Sequence, residues 1–280
     1  IIIVGLVVLA VILTSEAGGF KNVWKEIPSE NLRFLPEFHW KDVTIYLAAW
    51  SVLGLGSIPS QDVFQRSMSS GSASIAVRSC YVAAALYLTV AMLPLFISMC
   101  TRHLYPEQLM GDTQLALPNM VLAHTPVFVQ VLFFGSLLSA IMSTTSSAML
   151  APAAIFSENL LKPWIGKTMS DEKLLRYTRL SILVFSALAT LMACLRSNIY
   201  ELVGESSILS LVSLFIPLAF GLYWKRSTAS GAILAMISGI LTWIVFKYVI
   251  VTDIPPLVPG VLVSMLLMIA GSLYPKRPGN

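Results

Sequence analysis

The sequence predicts an all-α polytopic membrane protein, and three observations carry that prediction. The chain is 56% hydrophobic and only 11% charged, where a soluble domain carries about 25% charged residues. Its mean hydropathy is +0.80, and its apolar residues gather into runs close to the ~20 residues that a bilayer-spanning helix needs. Inside one such run, Val127 to Phe156, the stretch SAIMSTTSSAMLA at Ser139 to Ala151 places five hydroxyl residues in a row, Ser143 to Ser147. A lipid-facing helix gains nothing from such a row, since each hydroxyl needs a partner or bears a desolvation cost of roughly 1–3 kcal/mol.

Taken in order, Ile1 to Thr14 is apolar from its first residue, without Met, a basic leader or a small-residue cleavage site. It does not read as a signal peptide. The expectation is a partial spanning helix, in a chain that is a piece of a longer protein. Ser15 to Trp40 is a polar loop with Gly18, Gly19, Pro28 and Pro36. The segment 42–64 is apolar but holds Gly54, Gly56 and Pro59 close together. Glycine is poor inside helices, and proline removes a donor and restricts the residue before it. An interrupted helix is expected. Such breaks are tolerated at membrane depth where they line a cavity or are buried in protein, and in transporters they often hold the substrate. A simple packing kink is the alternative. Ser57, Ser60, Gln61 and Asp62 put polar groups around the break.

Further spans are expected at 76–99, 127–156, 180–194, 199–224, 229–251 and 257–274, all within a single transmembrane domain 1–280. Loops are expected at 66–74 and 101–125, and 157–178 reads as amphipathic and basic. Basic residues give the orientation. With the 15–40 loop outside, Arg66, Arg78, Lys162, Lys167, Lys173, Arg176, Arg179, Lys225, Arg226, Lys276 and Arg277 lie inside. Arg102, Arg196 and Lys247 fall at the short outer connections and span ends, and the long first loop adds Lys21, Lys25, Arg33 and Lys41, accompanied by acidic residues. The net charge of +4 therefore reports topology and no nucleic-acid partner. The protein belongs in a cell membrane, plasma or bacterial inner, as a multi-pass protein with the lipid bilayer as its partner.

Cys80, Cys100 and Cys194 lie in or at the ends of apolar runs, at spacings that suit neither zinc nor a disulfide framework. His39, His103 and His124 are scattered through outer loops and offer no metal site. Gly231, Ala235 and Gly239 form a small-residue stripe that reads as close helix packing.

The hydroxyl run has a chemistry of its own. Sodium is a hard cation and prefers several oxygen ligands, as calcium and magnesium do. Ala140, Ser143 and Thr144 can offer a carbonyl and two hydroxyls within one turn of helix. The other reading stays open, because Ser and Thr in membrane helices often bond back to the carbonyl four residues earlier. Glu201 and Glu205 begin the 199–224 span. Glu205, extended by Ser206 and Ser207, is a candidate gating residue, or else a solvated carboxylate near the outer end.

Three motifs resemble the sodium:solute symporter family, which includes sodium/glucose, sodium/proline and high-affinity choline transporters. AIMSTTSSAML at 140–150 looks like the family's sodium-site helix. GLGSIPSQDVFQR at 54–66 looks like its interrupted, cavity-lining helix with the Gln65–Arg66 pair. GLYWKRSTASGAILAMISG at 221–239 looks like its cytoplasmic turn and following helix. The resemblance covers nearly the whole chain. It implies a leucine-transporter-type inverted-repeat fold, incomplete at the N-terminus, in which Ile1 falls within the fifth helix. It implies a sodium ion held by Ala140, Ser143 and Thr144, completed by carbonyls of a first helix. A second sodium, where members bind one, would use Ser146 and Ser147 with Ser143 shared. Leu53, Gly56, Ser57, Ser60 and Gln61 would line the substrate cavity. The wording GSIPSQDVFQR is nearest the choline branch, but where that branch typically has a cage tryptophan this chain has Ser60. The implied solute is therefore given only as a small polar organic molecule.

The implied function is sodium-coupled symport by alternating access, not an enzyme activity. The alternatives are a polytopic membrane enzyme and an ion channel. No paired metal histidines, Gly-x-Ser-x-Gly, paired Asp motif or Walker sequence supports the first. No ring of carbonyls or charges supports the second.

Overall fold

The computed structural model describes residues 2–26, 33–165, 170–195 and 198–274. The orienting residues Lys167, Arg196, Lys276 and Arg277 lie outside them, as do the side chains of Gln61, Asp62, Gln65 and Arg66. The helices are α1 (Ile2–Glu16), α2 (Phe20–Glu26), α3 (Trp40–Leu55), α4 (Gln61–Met68), α5 (Ala73–Thr89), α6 (Met92–Leu104), α7 (Ala116–His124), α8 (Val127–Ile155), α9 (Lys162–Ile165), α10 (Asp171–Leu195), α11 (Ile199–Ser210), α12 (Ile216–Tyr223), α13 (Ala229–Tyr248) and α14 (Leu257–Leu273). Among the described residues, five helical segments are long and apolar enough to cross a membrane: 73–104, 127–165, 171–195, 199–223 and 229–248. Two shorter apolar helices, α1 and α14, accompany them.

The chain forms two compact units, 1–33 with 65–195, and 34–64 with 196–280. In the first, Leu9 and Leu13 of α1 pack with Val23 of α2, Ile97 and Cys100 of α6, Met120 and Val121 of α7, and Phe133 of α8. Two stretches read as loops thus contain helices. Both α2 and α7 are too short to show a span-length apolar run, yet each inserts a side chain that is at most 1% exposed. Helix α8 ends at Ile155, one residue short of the expected Phe156, but the helical path does not stop there. A π-helical turn, Phe156–Leu161, carries it into α9. Ser157, fully buried, stands 3.4 Å from Ser181 of α10 across that turn, so the polar contact is made inside the packing and the helix continues around it. Helix α10 begins at Asp171, well before the apolar run. Its first turns are polar, and hydropathy does not mark them.

In the second unit, α13 and α14 pack antiparallel through small residues. A Cβ on Gly271 would lie 2.8 Å from Gly231 Cα, and one on Gly260 would lie 3.4 Å from Trp243 Cβ. Gly239 faces both Ser264 and the carbonyl of Val212, in the π-helical turn Leu211–Phe215 between α11 and α12. Lipid tails are as apolar as leucine, so close backbone approach rather than apolar burial holds such helices together. The expected small-residue stripe serves this packing. At one end, the Thr228 amide donates to Ser272 Oγ at 3.2 Å and the Thr228 hydroxyl accepts from Gly231 N, also at 3.2 Å.

Candidate functional site

Within the first unit, one face of α8 carries Phe133, Ser136, Ala140, Ser143, Thr144 and Ser147 at helical spacing. The first part of this face is covered by α1. A Cβ on Gly5 would lie 3.3 Å from Ser136 Oγ. Ile2, Gly5 and Leu6 of α1 enclose a cavity of about 90 Å³ with Phe133, Ser136, Leu137 and Ala140 of α8. Beyond Ile2 the same face opens: Ala140 is half-buried, and Ser143 and Thr144 are exposed.

The hydroxyls along α8 divide into two kinds. Ser136 donates to the Leu132 carbonyl at 2.6 Å, Ser146 to Met142 at 2.7 Å and Ser147 to Ser143 at 3.3 Å. These follow the usual back-bonding pattern of membrane helices. Among the described residues, Ser143 and Thr144 make no such bond, and the Ala140 carbonyl receives no side-chain donor. Ala140, Ser143 and Thr144 thus share one turn on which neither hydroxyl donates to a backbone carbonyl, as holds for Thr145 beside them. Ser146 and Ser147 have their protons directed at backbone carbonyls, and Ser146 is exposed while Ser147 is half-buried.

In the second unit, α3 stops at Leu55 and the chain turns through Gly56 to Ser60 before α4. The amides of Ile58 and Ser60 bond to Leu55 and Ser57 carbonyls, each at 3.2 Å, in tight turns. Pro59 supplies no donor. This is the interruption read from Gly54, Gly56 and Pro59. Gly56 is buried, and a Cβ there would run into the Ser207 carbonyl of α11. The break therefore rests directly on the polar patch that follows Glu205. Ser57 donates to the Leu53 carbonyl at 2.7 Å, Leu53 is 56% exposed and Ser60 is half-buried.

Glu205 is not simply solvated. Its Oε1 accepts from Lys247 Nζ of α13 at 2.5 Å, with each side chain 26% exposed. The ammonium also lies 4.8 Å from the ring centre of Trp243 and 5.2 Å from that of Tyr248. Sequence reading placed Lys247 only as an outer-end charge. The Trp243–Lys247 spacing of one helical turn was the visible signal. In the first unit, Tyr105 donates to Glu16 Oε2 at 2.8 Å and stacks on His124.

Residues 1–239 match the sodium:solute symporter family. The chain belongs to that family. Among relatives in the sodium:solute symporter family, the high affinity choline transporter 1 of Mus musculus is 29% identical over 208 residues, 71% of this chain and 36% of the relative. The osmoregulated proline transporter OpuE of Bacillus subtilis is 35% identical over 151 residues, 52% of this chain and 30% of the relative. A Na+-coupled sialic acid symporter of known structure superposes with a TM-score of 0.76 at 19% identity, covering 96% of this chain and 58% of that one. That likeness is one of backbone, and it gives this family member the leucine-transporter-type fold. The chain spans about a third of the length of the curated relatives it matches. Membership, with the long apolar helices, makes it a multi-pass membrane protein.

Proposed function

We propose that this chain is the sodium-binding and cavity-lining part of a sodium-coupled symporter for a small polar organic solute. The observation that carries this reading is the α8 turn on which, among the described residues, the Ser143 and Thr144 hydroxyls donate to no backbone carbonyl and stand beside the Ala140 carbonyl, within a stretch matched by the family. Sodium is held there by the Ala140 carbonyl and the two hydroxyls, with further oxygens supplied from outside this turn. Ser146 and Ser147 serve a second sodium only if their lone pairs, rather than their protons, face the ion.

The break after Leu55 supplies the solute side of the reading. Leu53, Gly56, Ser57, Ser60 and Gln61 line the cavity, and Glu205 governs access beside it. Two of the relatives are named for choline and for proline. A quaternary ammonium is held largely by aromatic faces, and Ser60 offers none, so choline is not assigned. Sodium entering down its gradient drives the solute inward. The membrane potential alone contributes about 2.3 kcal/mol per charge per 100 mV. Nothing favours an enzyme or a channel: the family and its named relatives are transporters.

The test is uptake by the full-length protein in proteoliposomes. Choline, betaine, proline, monocarboxylates and sugars are offered with and without an inward sodium gradient. Accumulation of one solute only with the gradient is expected. Uptake that follows protons and ignores sodium contradicts the ion assignment.

A further inference from the structure

We propose that α2 is a binding site for an anionic phospholipid, with the phosphate between Lys21 and Lys25 and the glycerol and upper acyl chain against Phe20 and Trp24. The helix is pinned on one side by Val23, 1% exposed in the core of its unit. Lys21 and Lys25 lie across the helix from Val23 and Phe20 and Trp24 on the flank, forming two parallel ridges because residues four apart stack along a helix. One ridge is aromatic. The rings of Phe20 and Trp24 stack at 5.9 Å, and Phe20 stacks in turn on Phe96 at 5.4 Å. The other ridge is Lys21 and Lys25, both exposed. An open hollow of about 320 Å³ lies against these four side chains.

Charge and depth select the occupant. Like charges one turn apart repel, and an anion between them relieves the repulsion. Neither lysine makes an ion pair among the described residues. Two cations also exclude a positively charged ligand. Phe20 and Trp24 are 54% and 51% exposed, and a half-exposed tryptophan beside lysine is the signature of the membrane interface. Helix α2 follows the apolar α1 through Gly18 and Gly19, whose φ values of 73° and 108° turn the chain sharply. It therefore starts where α1 leaves the hydrocarbon. Rings beside cations at that depth match a lipid phosphate with its attached chain better than a free anion, which would have no use for the rings.

The full-length protein is placed in phosphatidylcholine bilayers holding a minor fraction of acyl-brominated phosphatidylglycerol. Quenching of Trp24 is read as the difference between the protein and its Trp24→Phe variant. Brominated phosphatidylglycerol is expected to quench Trp24 at a lower fraction than brominated phosphatidylcholine. Lys21→Gln and Lys25→Gln should each raise the fraction needed, since each removes one of the two charges facing the phosphate, and added salt should act in the same direction. The Lys21→Arg and Lys25→Arg variants should stay near the original, which separates charge from misfolding. Equal quenching by the two lipids, or no response to either glutamine, overturns the proposal. Relief of quenching by millimolar inorganic phosphate at constant ionic strength also overturns it, by assigning the lysines to a soluble anion.

Discussion

Lys247 Nζ and Glu205 Oε1 meet at 2.5 Å between α13 and α11, with the rings of Trp243 and Tyr248 beside the ammonium. The pair is neither fully wet nor fully dry. Exposed pairs contribute about 0–1 kcal/mol, whereas breaking a buried one costs about 3–5 kcal/mol. A cycle of Glu205→Gln, Lys247→Met and the double variant, read by thermal unfolding, should give a coupling of about 0.5–3 kcal/mol. Additive losses would mean that the two groups are neighbours without net attraction.

The proposed gating role of Glu205 has its own test. Ser207, two residues after Glu205, supports the break in α3 through its contact with Gly56. Loss of the carboxylate charge in Glu205→Gln is expected to change the solute KM and the uptake rate together. Unchanged uptake kinetics would remove Glu205 from any gating role.

Gly239 should be intolerant of a side chain. A Cβ there meets the Val212 carbonyl and lies 3.2 Å from Ser264 Cβ. Over-packing of this kind costs typically about 1–3 kcal/mol. Gly239→Ala is expected to lower the unfolding temperature in detergent, while Gly54→Ala, with no atom within 4 Å of its added Cβ, should not. Equal effects would show that the small-residue contact is loose.

Tyr105 gives a pH prediction. Burial, then the hydrogen bond to Glu16 and the charges of Glu16 and Glu107, push its hydroxyl up to about 12. The folded state therefore holds this proton more tightly than an unfolded chain, where tyrosine ionises near pH ~10. The stabilisation is present in full below that value and is lost as pH rises toward the folded one. Ultraviolet titration should show one tyrosine ionising late, absent in Tyr105→Phe. A Tyr105 that ionises with the bulk tyrosines would contradict the bond to Glu16.

Much of this architecture was legible in the chain, because a membrane makes length and hydropathy strong signals. The break in α3 was readable from Gly54, Gly56 and Pro59, since their backbone limits act locally. The hydroxyl run was readable because its polarity has no excuse in lipid. Helices α2 and α7 were not, because at 7 and 9 residues each is too short to show a helical period or a span-length apolar run. The helical continuation past α8 was hidden: the π-helical turn there brings Ser157 to Ser181, residues far apart in sequence. The division of the α8 hydroxyls was hidden for another reason. Ser143 and Ser146 are the same residue type on the same helix, and only rotamers separate the free hydroxyl from the back-bonded one.

Sodium held by the α8 hydroxyls is tested by the sodium dependence of solute uptake in full-length protein carrying Thr144→Ala, beside Ser146→Ala as a control on the same helix. Thr144→Ala is expected to raise the sodium concentration for half-maximal uptake by about tenfold or more, the equivalent of one lost charge-assisted contact of about 1.5 kcal/mol, with a smaller shift for Ser146→Ala. Superimposable sodium curves for Thr144→Ala and the unaltered protein would contradict it.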